Sequence, residues 1–129
     1  MLDEKDSTFL DLNTSTRILN KLGLTQYQSG ALAVVIHNPN CKADFISKQA
    51  NIPITKVYSV LENLEDMNLI QASLERPKRY IAKPIDEIVD FLIKRQEDKL
   101  NLIKNEAIKA IQVFAKFKHS QSPSLSVDN

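Results

Sequence analysis

Apolar positions recur along the chain first at helical spacing, then in alternation, then at helical spacing again. The first dozen residues are polar and carry neither pattern. "TSTRILNKL", residues 14–22, reads as a short helix that Ser or Thr can cap, with Gly23 where a left-handed C-terminal residue is wanted. "TQYQ" at 25–28 is a capping-box pattern. It opens a helix expected from Thr25 to His37, with Ala31, Leu32, Val35 and Ile36 facing a core. "NPN" at 38–40 ends it, because Pro39 disfavours helical geometry at Asn38. A short helix is expected over Ala43–Ala50, with Phe45, Ile46 and Ala50 as its apolar positions. Asn51 then suits a left-handed turn, and Pro53 suits the first turn of the next helix, "ITKVYSVLENLEDMN". Val57, Val60, Leu61 and Leu64 share one side of that helix, while Thr55, Ser59, Glu62 and Asp66 share the other.

"LIQASL", 69–74, alternates and reads as a strand with Ile70, Ala72 and Leu74 on one face. "RYIA", 79–82, reads as its return partner, joined through "ERPK". From Pro84 the helical period holds for roughly thirty residues, with Asp86 and Glu87 in the first turn where the helix dipole favours acids. From Leu100 to Phe117 the apolar steps run 3, 4, 3, 4, 3, a heptad seam, and the steps of four through Gln96 resemble a stutter. Such a helix is on the order of 50 Å long, more than a small domain can cover. Its stripe predicts a homodimer interface of Ile88, Leu92, Leu100, Ile103, Ala107, Ala110, Ile111, Phe114 and Phe117. Folding back of the stripe onto the domain is the competing reading. The expected division is a polar segment over 1–13, a domain over 14–83, a dimerisation helix over 84–118 and a disordered Ser-rich tail over 119–129.

Helix, helix, tight turn, helix, hairpin, long helix is the order of a winged helix-turn-helix: a mainly α fold with a small β-hairpin and a long C-terminal helix. Composition changes this picture little. The chain has 129 residues, 43% hydrophobic and 26% charged, enough for one compact domain plus an extension. Its longest apolar run, Ala31–Ile36, is too short to span a bilayer, and "MLDEKDSTF" does not read as a signal peptide, so a cytoplasmic location is expected.

Charge matters through its distribution. Lys and Arg total 17 against 16 Asp and Glu, yet Arg76, Lys78, Arg79 and Lys83 crowd into "SLERPKRYIAKP", where Glu75 is the only acid. A hairpin tip of this kind presents cations to phosphates or to the minor groove, beside a helix that reads base edges in the major groove. Phosphate neutralisation supplies much of such affinity, so a nearly neutral protein can bind DNA through a local patch. The first half of the Ile54 helix carries hydrogen-bonding Thr55, Lys56, Tyr58 and Ser59; its second half carries Glu62, Glu65 and Asp66, which phosphates repel. Lys42, Lys48 and Lys83 are further candidates for phosphate contact.

"LGLTQYQSGAL", "ISKQANIPITKVYSVLENLEDMNLI" and "RPKRYIAKPIDEIV" resemble the winged-helix domain of TrmB-type transcriptional regulators, which are chiefly archaeal. The resemblance covers about Leu22 to Leu92. It implies a dimeric DNA-binding regulator with a coiled-coil helix after the wing. Thr55, Lys56, Tyr58 and Ser59 then match the recognition helix, and Arg76, Lys78 and Arg79 the basic wing. Asn51 and Asn68 stand where the family commonly has Gly, and Glu75 stands at another such position in the wing. Larger members carry a C-terminal sugar-binding domain, and the sequence stops before one, so sugar sensing is not expected.

Other readings are weaker. Cys41 lies four residues from His37, but two ligands make a poor metal site, and a single cysteine forms no internal disulfide. No Gly-rich phosphate loop, metal triad or nucleophile elbow is present, so no catalytic residues, metal or cofactor are expected. The expected partners are double-stranded DNA, as an inverted repeat, and a second copy of the chain; no residues mark an effector site. The alternative is a winged-helix protein-interaction adaptor, favoured by Glu75 and the acids of the Ile54 helix.

Overall fold

The computed structural model describes residues 11–121. Expectations for the first ten residues and the last eight lie outside the described residues. Among the described residues, five helices and three strands follow in order: α1 (Leu12–Lys21), α2 (Gln26–His37), β1 (Cys41–Lys42), α3 (Ala43–Ala50), α4 (Ile54–Asp66), β2 (Ile70–Ala72), β3 (Arg79–Ala82) and α5 (Ile85–Gln121). This is the expected mainly α winged-helix class with a long C-terminal helix.

The helix ends follow local chemistry. α1 begins two residues before its expected start, because Asp11, not a Ser or Thr, caps it. Its carboxylate accepts from the Thr14 N–H at 2.8 Å, and that hydrogen bond holds the carboxyl below its usual range. α2 forms both halves of the capping box: Gln28 N–H donates to the Thr25 hydroxyl at 3.1 Å, and Thr25 N–H donates to Gln28 Oε1 at 3.0 Å. Asn51 adopts the left-handed conformation, with φ 58° and ψ 45°, and closes α3. Asn68 does the same after α4, with φ 61°. Pro53 caps α4 from outside instead of occupying its first turn.

α2 is the central helix, buried continuously from Ser29 to Val35. A helix apolar all round must be enclosed, and α1, α3, α4 and β3 enclose it. At Gly30 a Cβ would meet the Ala50 Cβ at 3.3 Å, so α2 and α3 approach closely there and a larger residue requires Ala50 to give by a few tenths of an ångström. Val57, Val60, Leu61 and Leu64 anchor α4 to this core as expected. Phe45, one of the three apolar positions of α3, is partly exposed on its rim, while Ala43 and Ile46 occupy the inward face.

The hairpin belongs to a three-stranded antiparallel sheet in the order β1-β3-β2. Cys41 and Ala72 both pair with Tyr80, and Ile70 pairs with Ala82. β1 is two residues long, too short to show an alternating pattern. β2 is also shorter than expected. Ser73 N–H donates to the Arg79 carbonyl at 2.8 Å, and Arg79 N–H donates to the Ser73 hydroxyl at 2.9 Å. These bonds close the hairpin, and Leu74 leaves the inner face for full exposure.

Ile88 and Leu92, expected in a dimer seam, are instead buried in the chain's own core with Leu64, Leu69, Ile70 and Tyr80. Each such aliphatic side chain contributes about 1.5–3 kcal/mol on burial. The chain divides into two units, one through Ile93 and one from Lys94 onward. In the second unit α5 is exposed on all sides through Lys118. Leu100, Ile103, Ile111, Phe114 and Phe117 are 51–70% exposed there. Lys94 and Asp98 pair at 2.8 Å across one helical turn, a solvent-facing contact worth little.

Candidate nucleic-acid interface

One side of α4 is fixed by the core, and this decides what its other side presents. Thr55, Lys56, Tyr58 and Ser59 all face solvent in the first half of the helix. Glu62 and Asp66 are exposed in the second half, and Glu65 is half-buried. The donors and the acids are thus segregated along the helix, as the sequence predicts. Local contacts refine the donor set. The Lys56 ammonium lies 5.9 Å from the centroid of the Tyr27 ring, at the start of α2. The Ser59 hydroxyl donates to the Lys56 carbonyl at 3.0 Å, which commits its proton and leaves its oxygen as an acceptor.

The wing cations fall into two kinds. Arg76 and Lys78 are exposed at the tip, with their charged ends open to solvent. Arg79 is half-buried, and its guanidinium donates to the Asn40 carbonyl at 2.9 Å. Asn40, at φ 71°, donates its own N–H to the Tyr80 carbonyl at 2.8 Å. Arg79 therefore braces the wing against the turn between α2 and β1, and only its remaining donors are available to a ligand. Lys83 is half-buried at the hairpin base, where its N–H donates to the Leu69 carbonyl at 3.0 Å. Lys42 is half-buried at the start of α3, and Lys48 is exposed on α3.

Between α4 and the wing lies a groove of 530 Å³. Lys42, Arg76 and Lys78 line it together with Asp44, Glu62 and Glu65, and Tyr58 and Tyr80 contribute aromatic surface. Tyr80 is buried, and burial, with Glu65 and Tyr58 adding to it, pushes its phenol above the usual range. It stays a neutral donor at physiological pH.

Cys41 sits half-buried in β1, and burial raises its thiol pKa. His37 pairs with Ser15, Nε2 to Oγ at 2.9 Å, joining the end of α2 to α1. Among the described residues no group of three or more His, Cys, Asp or Glu is placed to hold a metal, and no helix is long and apolar enough to cross a membrane.

Three contributors escape the sequence reading: Tyr27 beneath Lys56, Asn40 behind Arg79, and Ser73 closing the wing. Asn40 carries a usable signal, since Asn after Asn-Pro in a turn is disposed to positive φ. The other two depend on tertiary contacts.

The sequence matches the family model described as "Sugar-specific transcriptional regulator TrmB" over residues 19–86, more than half of the chain. The chain belongs to the TrmB family. TrmB proteins are transcriptional regulators built on a winged-helix DNA-binding fold, and they are not enzymes. Among solved structures, that of TrmBL2, described as an archaeal chromatin protein with a novel mode of DNA binding, superposes with a TM-score of 0.72 at 12% identity. The match covers 91% of this chain and 46% of TrmBL2, so the chain spans about half of that protein's length. A possible transcriptional regulator from Methanosarcina mazei Go1 superposes with a TM-score of 0.57 at 16% identity, covering 71% of this chain and 83% of that protein. At these identities the likeness is one of fold. No curated protein matches the sequence.

Proposed function

We propose that the chain is a sequence-specific, double-stranded DNA-binding transcriptional regulator that acts as a homodimer in the cytoplasm. One observation carries this reading: Tyr58, in the first half of α4, lines one groove with the exposed wing-tip cations Arg76 and Lys78, while Thr55, Lys56 and Ser59 face solvent on the same half of the helix, on a TrmB-family fold. Thr55, Lys56 and Tyr58 read base edges in the major groove, with Ser59 serving as an acceptor. Arg76 and Lys78 engage the flanking phosphates or the minor groove, and Arg79 holds the wing in position. Lys42, Lys48 and Lys83 add phosphate contacts at the edge. The DNA-binding function of TrmBL2, on a similar fold, supports the assignment.

Dimerisation uses the outer part of α5. The seam of Leu100, Ile103, Ala107, Ala110, Ile111, Phe114 and Phe117 pairs with the same seam of a second copy, as a coiled coil. Residues 14–83, completed by the buried Ile88 and Leu92 of α5, then serve as the DNA-binding domain, and the helix from Lys94 onward as the dimerisation element. A two-fold dimer reads an inverted repeat.

A second reading has one specific observation in its favour. Asp44, Glu62 and Glu65 line the groove beside the wing, a mixed charge pattern suited to a protein partner in a transcription complex. Selection of bound sequences from random DNA by the purified chain separates the two. The DNA reading expects an enriched inverted repeat. An unenriched pool with no salt-dependent binding overturns it in favour of the adaptor.

A further inference from the structure

We infer that Tyr27 is a positioning residue for DNA recognition, acting through Lys56. The inference rests on the DNA-binding reading of α4 and names a residue outside the recognition helix and the wing. Tyr27 lies in the first turn of α2, two residues after the capping residue Thr25. Both halves of the capping box are formed there, so the backbone that carries Tyr27 is held at a defined start of the helix. α2 is in turn buried along most of its length and packs against α4. The Tyr27 ring is therefore mounted on the most enclosed element of the domain, yet it remains 36% exposed at the surface.

Its neighbour is the Lys56 ammonium, 5.9 Å from the ring centroid. A lysine on an exposed helix face ordinarily samples many rotamers and loses that freedom when it binds a phosphate or a base. Attraction to the face of the tyrosine ring restricts it beforehand. An ammonium has three donors, so one side can rest on the ring while another meets an acceptor on DNA. The ring offers no competing carboxylate and leaves the positive charge intact. Tyr27 thus lowers the ordering cost of Lys56 without touching DNA, and the lysine meets its partner from a fixed place on the recognition helix.

The test is a double-mutant cycle on a duplex recovered by selection from random DNA, read by fluorescence anisotropy, with thermal melting of each variant alongside. Tyr27→Leu removes the π face, Tyr27→Phe keeps it, and Lys56→Met removes the cation. The inference expects Tyr27→Leu to weaken binding about two- to ten-fold, the range given by ordering one long side chain. Tyr27→Phe stays within about two-fold of the wild type, because the ring face and not the hydroxyl holds the ammonium. In the Lys56→Met background, Tyr27→Leu has no further effect. Equal losses in both backgrounds overturn the inference, since the tyrosine would then act independently of the lysine or through the fold. Unchanged or tighter binding by Tyr27→Leu also overturns it. If Lys56→Met weakens binding and Tyr27→Leu does not, the pairing fails and the DNA reading of α4 stands. If Lys56→Met itself binds like the wild type, the inference falls together with the assignment of Lys56 to the interface.

Discussion

α2 carries an unbroken buried stretch from Ser29 to Val35, whereas α5 from Lys94 to Lys118 carries no buried residue at all. Both are rich in aliphatic side chains. α2 has α1, α3, α4 and β3 around it, so its apolar groups are removed from water inside one chain. The outer part of α5 leaves Leu100, Ile103, Ile111 and Phe114 at least half exposed. Composition alone therefore does not say whether an apolar helix serves the fold or an assembly. The surroundings decide, and the boundary between the two uses falls within one helix, since Ile88 and Leu92 belong to the core and Leu100 does not.

Substitutions on either side of that boundary sharpen the contrast. Leu92→Ala opens a cavity in the enclosed part and is expected to destabilise the domain by about 2–5 kcal/mol in chemical denaturation. Phe114→Ala is expected to leave the melting of the DNA-binding domain unchanged while weakening self-association by about 2 kcal/mol, roughly thirty-fold, in sedimentation equilibrium. A domain that melts earlier with Phe114→Ala would erase the distinction drawn here. A smaller effect comes from the enclosed helix itself. Thr25→Ala removes half of the capping box and should cost about 1 kcal/mol. The smallest concerns Cys41. Its raised thiol pKa keeps the group protonated at neutral pH, so iodoacetamide should modify it more slowly in the native chain than in the denatured one. Equal rates would show that β1 does not shield the thiol.

Much of the fold was legible because its signals are local. The capping box at Thr25–Gln28, the left-handed positions at Asn51 and Asn68, and the period change at Pro84 each act through neighbouring residues. β1 was not legible, since two residues show no periodicity and exist as a strand only by pairing with β3. Leu74 departs from its expected strand face for a related reason. Spacing names the apolar positions, but which of them face inward depends on the neighbours. The candidate interface divides the same way. Exposure of Thr55, Lys56, Tyr58 and Ser59 follows from the helical period of α4. The separation of Arg79 from Arg76 and Lys78 depends on a hydrogen bond to Asn40, thirty-nine positions away in the chain.

That separation supplies the most direct test of the central claim. Arg76 and Lys78 together are expected to account for about two phosphate contacts in each protomer. Binding of a selected duplex by the Arg76→Ala, Lys78→Ala chain should be weaker at low salt, and the slope of log Kobs against log salt should be shallower by about two for each protomer. The same affinity and the same slope as the wild type would contradict the assignment of the wing to DNA.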